Sequence, residues 1–156
     1  MKIILEGVDG AGKTTLAKIL AEKYGLDICH CTQHDPADFN FYKETLRKEN
    51  VVWDRHTVGE LIYPIVFDRE AKVTPYEVRA IISMAKASGV KMFILTSEIG
   101  VLKSRIKGRK NEHPKITSNL DWIDSAFRDC ARWLGIPLID TSKMTLDEIF
   151  SLVESK

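Results

Sequence analysis

The chain has 156 residues, 44% of them hydrophobic and 29% charged, which is long and apolar enough to bury a core without staples and too apolar for a disordered chain. Twenty-three Lys and Arg against 22 Asp and Glu leave a net charge of +1, and this balance disfavours nucleic acid as the main partner. Cys29, Cys31 and Cys130 are an odd number and give no disulfide framework, in keeping with a reducing cytoplasm. The Cys29 and Cys31 pair reads as buried strand cysteines sharing one face rather than as part of a metal site. The apolar start breaks at Glu6-Gly7, too early for a signal-peptide core, and the longest apolar run, 61–67, contains Pro64 and is about a third of a membrane span. A soluble cytoplasmic protein with no membrane segment is expected.

In chain order, strands are predicted at 2–5, 26–31, 51–53, 91–95 and 137–139, and helices at 13–24, 37–47, 57–67, 75–87, 99–107, 120–134 and 146–154. The helix at 13–24 carries Leu16, Ile19, Leu20 and Tyr24 on one face and stops at Gly25. Thr74 caps the helix that opens with Pro75, and Gly89 follows its end. Ser118 or Asn119 can cap the helix that buries Leu120, Ile123, Phe127, Ala131 and Leu134. Short apolar runs alternating with helices predict a three-layer α/β sandwich, in which a five-stranded parallel sheet has helices on both faces. No repeat or linker divides the chain, so residues 1–156 are expected to form one domain.

Directly after the first strand, Gly7-Val8-Asp9-Gly10-Ala11-Gly12-Lys13-Thr14-Thr15 satisfies G-x-x-x-x-G-K-[ST] in full. Glycines let the backbone curl its N–H groups around a polyphosphate, Lys13 brings a point charge to the β and γ oxygens, and Thr14 offers a hydroxyl to Mg²⁺. The helix that starts there aims its positive end at the same anion. A nucleoside triphosphate site follows. The chain lacks an N-K-x-D for reading guanine, and it is short for a remodelling ATPase, which leaves a small kinase.

Three segments carry a family resemblance: the phosphate loop with Asp9 inside it, Val51-Val52-Trp53-Asp54-Arg55 ending a strand in Asp-Arg, and Leu102-Lys103-Ser104-Arg105-Ile106-Lys107-Gly108-Arg109. With these the sequence resembles the thymidylate kinase and deoxynucleoside kinase group of P-loop kinases. It is most similar to small phage-type members, for which the compartment would be the host cytoplasm. The resemblance implies ATP as phosphoryl donor, Mg²⁺, and a deoxynucleotide acceptor, foremost a thymidylate-like monophosphate. It also implies that Asp54 orients metal or acceptor, that Arg55 grips a phosphate, that Asp9 helps place an acceptor hydroxyl, and that a lid spans about 107–118. A surface ion pair at the strand end is the alternative for Asp54 and Arg55, and a simple turn residue for Asp9.

Lys103, Arg105, Lys107, Arg109 and Lys110 place five positive charges in eight positions. Arg105 and Arg109 are four apart, share a helix face, and are the candidates to neutralise charge on the transferring group. The polar stretch 110–118 suits a loop. On the acceptor side, the turn Thr32-Gln33-His34-Asp35-Pro36 departs from the E-P-G-G type of the family. Phe41, Tyr42, Glu60, Tyr63 and Arg69 are the candidates to stack on or hydrogen-bond a base and sugar, while Trp53 reads as core. Three other readings stay open: a nucleoside 5′-hydroxyl acceptor, a modified base within DNA, and a nucleotide-binding switch without transfer. Apolar surface on 61–67 and on the helix from Pro75 would suit a homodimer.

Overall fold

The computed structural model describes residues 1–32, 34–110 and 112–155. Gln33 in the 32–36 turn and Asn111 in the predicted lid therefore lie outside the described residues. Strands β1 (Lys2–Gly7), β2 (Asp27–His30), β3 (Val51–Asp54), β4 (Lys91–Thr96) and β5 (Leu138–Asp140) form one sheet in the order β2-β3-β1-β4-β5. Each pairing is parallel. Ile3, Ile4 and Leu5 on β1 and Val52 and Trp53 on β3 are all 0% exposed, which requires cover on both faces and explains why these strands are continuous apolar runs. β2 is an edge strand with mostly exposed residues.

Helices α1 (Lys13–Tyr24), α2 (Phe39–Thr45), α3 (Tyr63–Phe67), α4 (Pro75–Ala87), α5 (Ile99–Lys107), α6 (Pro114–Ser118), α7 (Leu120–Leu134) and α8 (Leu146–Glu154) connect or follow the strands. α1 turns Leu16, Ala17 and Leu20 inward and ends at Gly25 in the left-handed region, as its sequence predicts. α4 opens with a capping box in which Thr74 and Glu77 satisfy each other's backbone N–H. Asn119 does stand at the cap position of α7, yet its side chain makes no capping bond there. Among the described residues no helix is long and apolar enough to cross a membrane.

Three segments differ from the sequence expectation. The 57–67 helix is broken into a 3-10 turn, Val58–Leu61, and the short α3. Pro64 in the first turn of α3 lacks the N–H that would tie it to the turn before. The 37–47 helix is trimmed to α2, because Ala37 takes a positive φ of 52° and Asp38 caps the start by accepting from Phe41 N at 2.8 Å. The polar 110–118 stretch contains a helix, α6, with Pro114 in its first turn and the His113 ring accepting from Lys115 N at 3.1 Å. The apolar surface expected on 61–67 and α4 is represented by Ile65 and Tyr76, which are 67% and 87% exposed.

Candidate active site

Strand order reverses at β1, which continues through α1 to β2 and β3 on one side and has β4 on the other. In parallel sheets, ligands collect beyond the carboxyl ends of the strands at such a point. Pairing Leu5 with Asp54, His30 with Asp54 and Gly7 with Leu95 brings those ends together there.

The phosphate loop bends on Gly7, Gly10 and Gly12, with φ of 132°, 83° and 88°. At Gly7 the need for glycine is also steric, since a Cβ would stand 2.1 Å from the Leu95 carbonyl oxygen of the paired strand. Ala11 is fully buried behind the loop. Lys13 is buried, and its Nζ donates to the carbonyls of Gly7 and Val8, both at 2.8 Å. Burial first, and then the neighbouring Arg55 charge, push its ammonium down to about 7. Thr14 Oγ1 donates to Asp54 Oδ2 at 2.5 Å, and His30 Nδ1 lies 3.4 Å from the same carboxylate oxygen. A hydroxyl beside a buried carboxylate is a hard-oxygen pair of the kind that suits Mg²⁺, so these residues fit the ion the loop implies.

The same cleft holds a closed ring of three side chains. Arg55 Nη2 donates to Asp9, Arg55 Nη1 donates to the Tyr63 hydroxyl at 2.8 Å, and that hydroxyl donates to Asp9 Oδ2 at 2.6 Å. Burial would raise the Asp9 carboxyl, but the charges of Arg55 and Lys13 and the Tyr63 hydrogen bond outweigh it and hold the group low. Further along, Arg69 donates to both Glu60 oxygens, at 2.7 and 3.1 Å, in a bidentate fork. Arg109 Nη1, also at the cleft, reaches Glu112 Oε2 at 3.2 Å. These groups line one cleft of about 620 Å³, together with Thr15 and Tyr42, a volume suited to a nucleotide-sized ligand.

Two predicted residues stand elsewhere. Phe41 does not line the cleft, and its ring meets Tyr42 edge-on at 5.3 Å. Arg105 braces the outside of the phosphate loop instead, donating to the Gly10 carbonyl at 3.1 Å and to Thr141 Oγ1 at 3.0 Å. The helix face expected to group it with Arg109 does not form, because α5 ends at Lys107 and leaves Arg109 beyond the helix, so the two side chains separate. Cys29 and Cys31 are half-buried rather than buried, because β2 is an edge and ends at His30. Lys48 Nζ donates to Cys29 Sγ at 3.2 Å. The Cys31 thiol lines the cleft but is pushed up to about 12, chiefly by burial, and so is no nucleophile. His30 and Glu112 are cleft residues that sequence reasoning missed. For His30 a signal existed, its place at a strand's carboxyl end, but the strand was predicted to run through Cys31.

Two buried groups, Glu6 below the cleft and His56 in its lining, dominate the pH response of stability. Burial raises the Glu6 carboxyl from its ordinary 4.5 to about 7 and lowers the His56 imidazole from 6.5 to about 3. Glu6 therefore contributes stability at low pH that is lost as pH rises toward 7, and His56 contributes stability at neutral pH that is lost as pH falls below 6.5. The two oppose each other between 4.5 and 6.5, and below 4.5 the His56 loss is no longer offset by Glu6. Urea unfolding is expected to give a near-level profile down to pH 4.5 and then a fall of about 1.4 kcal/mol per unit, steepened where Asp9 also protonates. A profile level to pH 3.5 would contradict a neutral buried His56.

No family model matches the chain. Cytidylate kinase 2 of Borreliella afzelii is 25% identical over 181 residues, covering 100% of this chain and 96% of that protein. The YorR protein of Bacillus subtilis, solved in complex with phosphorylated GDP, superposes with a TM-score of 0.83 at 25% identity, covering 98% of this chain and 93% of the other. The chain is a P-loop phosphotransferase. A deoxyadenosine kinase of M. mycoides, with products dCMP and dCDP bound, shares the fold of this phosphotransferase at a TM-score of 0.61 and 16% identity, over 98% of this chain and 96% of the other. None of these three is a thymidylate kinase by name, so the narrower resemblance is not carried by them.

Proposed function

We propose that the phosphotransferase moves the γ-phosphoryl group of ATP to a nucleoside monophosphate, foremost a pyrimidine deoxynucleotide. The observation that carries this reading is that one cleft gathers Lys13 and the Thr14–Asp54 pair together with the Arg55–Asp9–Tyr63 ring. Lys13 and the loop N–H groups would hold the donor phosphates, and Thr14 and Asp54 would hold Mg²⁺. The ion would supply charge neutralisation at the donor phosphates. Arg55 would present its fork to the acceptor phosphate, with Arg109 closing from the lid side. Asp9 and Tyr63 would meet the sugar, and Tyr42 with the Glu60–Arg69 fork would face the base. The pyrimidine preference draws on the thymidylate-kinase-like loop and on the cytidylate kinase relatives.

The test is ADP release from ATP and Mg²⁺ with deoxynucleosides, deoxynucleoside monophosphates, ribonucleoside monophosphates and a short DNA supplied one at a time. Release stimulated by pyrimidine deoxynucleoside monophosphates is the expected result. Stimulation by nucleosides would move the acceptor to a hydroxyl. Slow release unchanged by every acceptor would leave a nucleotide-binding switch.

A further inference from the structure

The loop after β3 holds Arg55 at φ 74°, in the left-handed region, which residues with a Cβ occupy only where their surroundings fix them. What fixes this one is β1. The Arg55 N–H donates to the Leu5 carbonyl at 2.9 Å. The next residue on β1 then takes over, because His56 N and Val58 N both donate to Glu6 Oε1, at 3.1 and 2.6 Å. Glu6 is 1% exposed, and its second oxygen has no hydrogen-bond partner among the described residues. A carboxyl group inside the core with an idle oxygen is costly, and a strand position flanked by Leu5 and Gly7 would otherwise suit an aliphatic residue. The same side chain stands one residue before the phosphate loop. It thus ties the backbone that carries Lys13 to the backbone that carries Arg55.

We infer that Glu6 is a positioning residue whose side chain fastens the 55–58 loop to β1, so that the Arg55 fork is held in register with the phosphate loop. This rests on the kinase reading above for its catalytic consequence. The device depends on the reach of an acceptor oxygen, not on charge. Burial, which raises the Glu6 carboxyl to about 7, agrees with that, since the neutral acid presents the same carbonyl acceptor.

The experiment compares Glu6→Gln, which keeps reach without charge, with Glu6→Asp, which keeps charge but is one methylene shorter. Each variant is read by kcat, by KM for ATP and acceptor, and by hydrogen exchange at the His56 and Val58 amides. Glu6→Gln should stay within about threefold of wild type, and Glu6→Asp should lose about 30-fold in kcat with its two amides deprotected, as expected for hydrogen bonds to a carboxyl left unmade. In an Arg55→Ala background the Glu6→Asp loss should shrink to about twofold. The opposite order of the two variants, or an undiminished loss without Arg55, would overturn the inference. Should Glu6→Asp fail to fold, Glu6→Gln still decides, because lost turnover and lost amide protection there would overturn it. A wild-type protein whose ADP release ignored every acceptor would count against the kinase reading instead. The exchange arm would then decide alone, with unchanged protection in Glu6→Asp overturning the inference.

Discussion

Replacing Lys13 with alanine should lower kcat by about 1,000-fold while leaving the fold intact. The size follows from where the charge sits. Lys13 is 6% exposed, so its field at a phosphoryl oxygen would be weakly screened compared with a surface lysine. The fold should survive because the ammonium's two partners are the carbonyls of Gly7 and Val8, which water can satisfy once the side chain is shortened. Removing a buried cation also relieves the desolvation and the Arg55 repulsion that push it down to about 7. Thermal melting within a few degrees of wild type, beside the kinetic loss, is the expected pair of results. A variant that kept more than a tenth of wild-type turnover would remove Lys13 from the chemistry.

The second large effect is expected at Asp54. One oxygen of this carboxylate receives the Thr14 hydroxyl at 2.5 Å and lies 3.4 Å from His30. Asp54→Asn keeps the shape and an acceptor for Thr14 but removes the negative charge that favours a hard divalent ion. We expect kcat to fall by about 100-fold and the Mg²⁺ concentration for half-maximal rate to rise. Thr14→Ala should produce the same syndrome more mildly. The double variant should be little worse than Asp54→Asn, because the two side chains act on one ion as a unit. Additive losses would mean that the residues serve separate steps, and an unchanged Mg²⁺ requirement would detach Asp54 from the metal.

The phosphate loop was fully legible because every residue in it answers to a local backbone or charge requirement. The same is true of β1, β3 and β4, whose runs are apolar on both faces. Boundaries were harder where competing local signals meet. Pro64 broke a helix whose apolar pattern ran on, and Pro114 started one in a stretch whose composition is polar. Within the cleft, Asp54, Arg55 and Lys13 could be placed from their positions at strand ends and in the loop. Phe41 and Arg105 could not, since each lies on a helix whose rotation is set by packing rather than by spacing. Arg105 turned to the Gly10 carbonyl and Thr141, partners 95 and 36 residues away in the chain that no local pattern announces.

The ring formed by Arg55, Asp9 and Tyr63 has a consequence for selectivity. The guanidinium already has an anionic partner inside the protein, so a ligand that recruits it must compete with a carboxylate held low and in place. On the proposed reading, a phosphate delivered on a nucleoside would come with further contacts to sugar and base that offset this competition, whereas free inorganic phosphate would not. The built-in counter-ion would therefore act as a threshold, keeping Arg55 out of reach of the small anions that outnumber nucleotides in a cell.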